Sequence, residues 1–194
     1  MGYSNLRTIS KEYNLSIVMT RLFDNVKVVQ PSVWLTESLV MSELMPVTNK
    51  KTKSERIVSP ILLEAVKLYL DKITLFSGED IDNEATESCD FFFALHPPKP
   101  FFDAPIFSLA QVNDEYMEYS IGQCVAQMQG VRLYNKAEKK EIPVVYGCAT
   151  DGVEWQFLKL VDTVLHIDKK TYTDVKEILG VWHTIFQTNL ALKK

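Results

Sequence analysis

Seven glycines in 194 residues are too few, and too scattered, for a phosphate-cradling loop, so a nucleotide-binding fingerprint is excluded. Three histidines, at 96, 166 and 183, have no Gly-x-Ser-x-Gly elbow and no paired nucleophile near them, which removes the serine-hydrolase and cysteine-protease readings. The three cysteines, 89, 124 and 148, lie far apart inside apolar runs with no zinc-ligand spacing, and read as buried reduced thiols. There is no basic excess either. A net charge of −4 gives no general support to nucleic-acid binding, although a local basic groove is compatible with it. No apolar run reaches the roughly 18 residues that would span a bilayer. The stretch "MGYSNLRTISKEYNLSIVM" has no long apolar run behind a basic lead, and Gly2 lacks the downstream Ser or Thr of a myristoylation signal. The expectation is a soluble cytoplasmic protein without membrane contact.

What is present suits an ordinary globular chain: 46% hydrophobic and 24% charged residues, long enough for one substantial core. The first 50 residues read as a helical or irregular extension, and 51–194 as an α/β core, the two forming one compact unit. "PSVWLTESLVMSELMP" predicts a helix over about 32–45 with Ser32 as its N-cap and Pro46 as its stop. "VTNKKTKSE" reads as a linker. A second helix begins at Ser54 or Ser59, since Pro60 suits a first turn and would kink an earlier start.

From Lys72 the pattern turns to strands. "KITLFSGEDID" is a short strand entering an acidic turn, and residues 89–95 and 105–112 are two apolar runs joined by "HPPKPFFDAP", an antiparallel hairpin. In "YSIGQCVAQMQGVRLYN", Ile121, Cys124, Val125, Met128 and Val131 make one helical stripe, with Gln123 and Gln127 beside it. "PVVYGCA" reads as an interior strand. Turns at Asp151-Gly152 and Val161-Asp162 separate two more strands, and a helix near Thr173–Leu190 closes the chain. The order implies an α/β layer with a mixed central sheet flanked by helices.

The segments "SERIVSPILLEAV", "CDFFFAL", "PIFSLAQV", "IGQCVAQM" and "YGCATDGVEWQFLKL" together resemble the PD-(D/E)XK nuclease-like superfamily. They look most like uncharacterised bacterial proteins and the nuclease module at the N-terminus of type I restriction-enzyme motor subunits. The resemblance implies a restriction-endonuclease-like fold. It also implies a site in which an aspartate on one core strand and a second acid on the next hold Mg²⁺ or Mn²⁺, with a lysine two residues beyond that second acid. Period 2 along a strand is what would bring the second acid and the lysine to one face.

By that resemblance Asp90 matches the first acid, Glu55 the helical glutamate, and Gln123 the helical glutamine, with Gln127 one turn on. The second acid position holds Leu109 and the lysine position Gln111, with Ala110 between them. Leu109 cannot ligate a metal and Gln111 carries no charge. The expectation is therefore a vestigial site with no competent catalytic residue and no cofactor, Asp90 being the one metal position if there is any.

The implied function is an inactive nuclease-like module that binds or regulates a nucleic acid or a protein. Two alternatives stand beside it. One is a protein-interaction or homo-oligomeric structural protein. The other is an active Mg²⁺- or Mn²⁺-dependent nuclease with an acid relocated from Asp114, Glu115, Glu79 or Asp80. A nucleic-acid binder would gather the 50–56 basic run with Arg132, Lys136 and Lys159 on one rim. A protein-binding module would expose an apolar patch, with the 32–45 helix as the candidate.

Overall fold

The computed structural model describes residues 5–81, 88–113 and 117–192. Seven strands form one sheet: β1 (Ser16–Thr20), β2 (Thr74–Glu79), β3 (Cys89–Ala94), β4 (Ile106–Val112), β5 (Val144–Thr150), β6 (Trp155–Val161) and β7 (Val164–Tyr172), in the order β1-β7-β6-β5-β4-β3-β2. Pairs β4/β5 and β1/β7 are parallel and the rest antiparallel, so the sheet is mixed, as the element order implied. The parallel β4/β5 pair needs a crossover, which helix α5 (Met117–Ala137) supplies.

Helices cover both faces. On one lie α1 (Leu6–Glu12) and α5, packed on Phe92, Leu109, Leu158 and Leu165. On the other lie α4 (Ser59–Val66) and α6 (Val175–Leu192), over a core that includes Phe93, Phe107, Phe157 and Trp182. Because successive strand residues alternate between faces, the two runs of the β3–β4 hairpin feed both cores and read as continuously apolar. Among the described residues no helix is long and apolar enough to cross a membrane.

Two segments differ from the sequence reading. Ser16–Thr20 was expected to be helical or irregular but forms an edge strand of the sheet, parallel to β7. Its five residues are too few for periodicity to reveal them without the partner strand. The supposed linker is helical as well: α3 (Lys50–Lys53) starts at an Asn49 N-cap whose Oδ1 accepts from the Thr52 N–H at 3.0 Å, while Thr52 Oγ1 accepts from the Asn49 N–H at 3.2 Å. This reciprocal cap satisfies two orphan donors.

The chain then runs through a π-helical turn, Ser54–Val58, directly into α4. The π turn accommodates Pro60, which lacks the N–H that the Arg56 carbonyl would otherwise accept. Ser42 Oγ donates to that carbonyl at 2.8 Å, so helix α2 (Val33–Glu43) supplies the missing partner.

A second tie joins α2 to α4. The buried Glu64 carboxylate accepts from Ser32 N–H at 3.0 Å and Ser32 Oγ at 2.8 Å, and from Lys67. Burial alone would raise this carboxyl, but the hydrogen bonds from Lys67 and Ser32 outweigh it and hold it below its ordinary value. A depressed folded-state value means that the contribution is complete above the unfolded value of about 4.3 and is lost as pH falls through the folded one. Glu64→Gln is expected to cost about 2 kcal/mol at pH 7 and to lose less stability than the wild type between pH 5 and 3. Urea melts at both pH values check it. Parallel losses in the two proteins would show that this carboxylate is not the acid-sensitive tie.

Candidate functional site

Asp90 sits at the start of β3, beside the end of β4 and one strand in from the β2 edge of the sheet. Phe91 pairs with Ala110 in the β3/β4 ladder, which sets Asp90 across from Gln111. The Asp90 side chain is only 17% exposed, and its two oxygens are engaged separately. Oδ1 lies 2.8 Å from Lys50 Nζ, and Oδ2 accepts the Val112 backbone N–H at 2.8 Å. A mostly buried carboxylate with an ammonium and an N–H on its two oxygens is close to neutralised where it stands.

Lys50 is the residue the sequence reading missed. It belongs to the run treated as a solvated linker, and comes to Asp90 because the Asn49 cap folds that run into helix. The available signal was "TNKKT", in which an Asn three residues before a Thr marks a helix start.

The other expected site residues divide. Leu109 is fully buried in the apolar cluster with Phe92, Cys124 and Val125, so nothing polar replaces the second acid there. Gln111 is also fully buried; its Nε2 makes a long 3.5 Å contact with the Val112 carbonyl, and its Oε1 has no partner. Gln127 on α5 donates through Nε2 to the Ser88 carbonyl at 3.3 Å, two residues before Asp90, and its Oε1 is likewise unpaired. Gln123 is half-buried one turn earlier on the same helix. Glu55, in contrast, is exposed on the π turn, with its carboxylate 3.9 Å from Lys51.

Of the acids considered as replacements, Asp114 and Glu115 lie outside the described residues. Glu79 pairs with Cys89 across the β2/β3 ladder, one residue from Asp90, and is exposed, as is Asp80. Among the described residues no three His, Cys, Asp or Glu side chains come together as a metal-ligand set. The cysteines are buried and unpaired in disulfides. Burial, with the Asp90 and Asp80 charges behind it, pushes the Cys89 thiol up to about 12, and burial raises Cys124 and Cys148 too, so all three are poor nucleophiles.

The basic residues do not converge. Lys50 lies at the Asp90 end of the sheet, where β4 and β5 finish. Arg132 and Lys136 lie at the opposite end, lining a polar cleft of about 400 Å³ with Glu141 and Asp162, and Arg132 donates to the Asp162 carbonyl. Lys159 is on β6 opposite Tyr146 and His166. The single basic rim that would have marked a nucleic-acid groove is not formed by these groups. An apolar stripe, however, is exposed on α2, the helix singled out from the sequence: Val33, Trp34, Val40, Met41, Leu44 and, just beyond it, Met45.

No protein-family model matches this chain, and no curated protein is significantly similar to it.

Proposed function

We propose that the chain is a catalytically inactive module of restriction-endonuclease-like type, whose role is binding or regulation with a protein as its partner. One observation carries most of this reading: the Lys50 ammonium stands 2.8 Å from Asp90 Oδ1, on the carboxylate that the resemblance matches to the first metal ligand. A divalent ion there would have to displace an internal cation and would find no second carboxylate at Leu109. It would then gain little, because phosphodiester hydrolysis asks a metal both to form the nucleophile and to offset anionic charge. Gln111 and Gln127 can hydrogen-bond but bring no charge to the site. The separation of Lys50 from Arg132 and Lys136 favours a protein over a nucleic acid as partner, because phosphate binding needs cations along one track.

Calorimetric titration of Mn²⁺ tests the reading. The wild type is expected to give no saturable heat, and Asp90→Ala to behave identically. Restoring the acid and the lysine with Leu109→Glu/Gln111→Lys is expected to produce binding. A thermal melt must accompany that variant, because position 109 is apolar and fully buried. Saturable binding by the wild type that Asp90→Ala abolishes would overturn the proposal and make a cleavage screen the next step.

A further inference from the structure

Helix α2 carries large apolar residues on two sides, yet the fold uses only one of them. Leu35 and Ser42 are buried and Leu39 packs against the core, which accounts for the face turned to α4. The outward positions 33, 34, 37, 40, 41, 44 and 45 follow the spacing of one helical face, and six of the seven are large apolar residues. Val33 is 72% exposed and Leu44 71%, with Trp34, Val40, Met41 and Met45 near one half. A helix with a large apolar stripe opposite its buried side is expected to be covered on both sides.

We infer that this face is a two-fold self-association surface, on which α2 of one copy packs antiparallel against α2 of a second. Area is the first argument. Six such side chains offer on the order of 600 Å² per copy by the usual conversion of side-chain burial to area. A standard interface takes roughly 800 Å² per partner, so the stripe with its immediate rim is of the right size for a small dimer. The stripe is also self-complementary, since it is a ridge on a helix and what packs on it is another helix. A two-fold interface uses one patch twice.

Charge fixes the direction. Helix α2 has no acid in its first turn and no base in its last, and Glu43 ends it, at the negative end of its own dipole. In an antiparallel pair with the two-fold axis level with positions 38 and 39, the C-terminal end of each helix, where Glu43 stands, lies level with the positive N-terminal end of the other. Val33 faces Leu44, and Glu37 faces Val40 with its aliphatic stem inward and its carboxylate at the rim. A parallel pair would instead stack Glu37 on Glu37 and set like ends of the two helix dipoles side by side. The inference is independent of the Asp90 site and stands or falls separately from it.

Sedimentation analysis of the full chain at on the order of 100 µM, far above the micromolar Kd expected of a weak interface, should show a dimer. Met41→Glu/Leu44→Glu should convert it to a monomer with an unchanged circular-dichroism melt, because both side chains are exposed. A monomeric wild type, or a dimer that survives these substitutions, overturns the proposal. Cross-linking supplies the orientation. The native cysteines are all buried, so a thiol introduced at Val40→Cys is the accessible one. The two copies of residue 40 are offset by about 5 Å along the helix axes and those of residue 45 by about 20 Å. A short bis-maleimide should therefore join Val40→Cys chains and leave Met45→Cys chains single. Equal cross-linking at both positions, as a parallel pair would give, overturns the antiparallel assignment.

Discussion

Trp182→Ala is expected to lose about 4 kcal/mol of folding stability, within the ~3–5 kcal/mol typical of deleting a buried aromatic ring. Trp182 is completely buried on α6 and touches three aromatic rings, with centroid distances of 5.1 Å to Phe93, 5.4 Å to Phe157 and 5.9 Å to Phe186. These rings come from β3, β6 and α6, so a cavity here loosens the helix from two strands together. Phe93 and Phe186 are themselves 4.8 Å apart, which leaves the neighbours little room to collapse inward. A domain of this size holds about 5–15 kcal/mol in all, and the melting temperature should fall by roughly 10 °C. Trp182→Phe separates volume from polarity. The indole Nε1 is buried without an acceptor, so phenylalanine removes an unpaired donor while keeping a ring. Its cost is expected to stay near 1 kcal/mol. Urea melts of both variants decide the matter, and a Trp182→Ala loss below about 1.5 kcal/mol would mean that this cluster is not a principal source of stability.

The second large effect is at Asp168, a fully buried carboxylate on β7. Oδ2 accepts from the Tyr172 hydroxyl at 3.0 Å and Oδ1 from the Lys170 N–H at 3.0 Å, while Gln156 donates to the Asp168 carbonyl at 2.6 Å. The β6/β7 register shifts between Gln156 and Leu158, so the local ladder is broken and these side-chain bonds take its place. Burial and the Asp168 charge both raise the Tyr172 phenol, which therefore stays protonated as the donor. Asp168→Ala leaves a phenol and a backbone N–H unpaired in the interior, at about 1–3 kcal/mol each; a total near 3–4 kcal/mol is expected. Asp168→Asn retains one acceptor oxygen for two donors and should fall about midway. If alanine and asparagine cost the same, the carboxylate's paired bonds are not the cause.

The Asp90 end of the sheet was read less completely than the core. Asp90 could be placed at the head of a strand because "CDFFFAL" is a polar residue followed by an unbroken apolar run. Leu109 and Gln111 were placed on β4 by the resemblance, as the positions of the second acid and the lysine. That Gln127 would reach Ser88 could be anticipated only as far as its stripe on α5. Lys50 was out of reach, since its meeting with Asp90 spans forty positions and no local periodicity encodes it. Glu55, placed at the site by resemblance, turned outward because the π turn that accommodates Pro60 also sets the direction of its neighbours.

By itself the sequence determined the strands from β2 to β7, the turn at Asp151 and Gly152, and the amphipathic helices α5 and α6. In each case the reason is short-range: alternating or 3.6-residue periodicity, or a turn that only certain residues adopt. Gly152 has φ +92°, and Asp151 Oδ1 accepts the N–H groups of Val153 and Glu154. Tertiary structure alone decided two things: that Ser16–Thr20 becomes an edge strand, and that Asp90 acquires Lys50 as its counter-ion. Each depends on a partner distant in the chain. A five-residue strand needs a neighbouring ladder, and a buried carboxylate is stable only once folding has brought a cation to it.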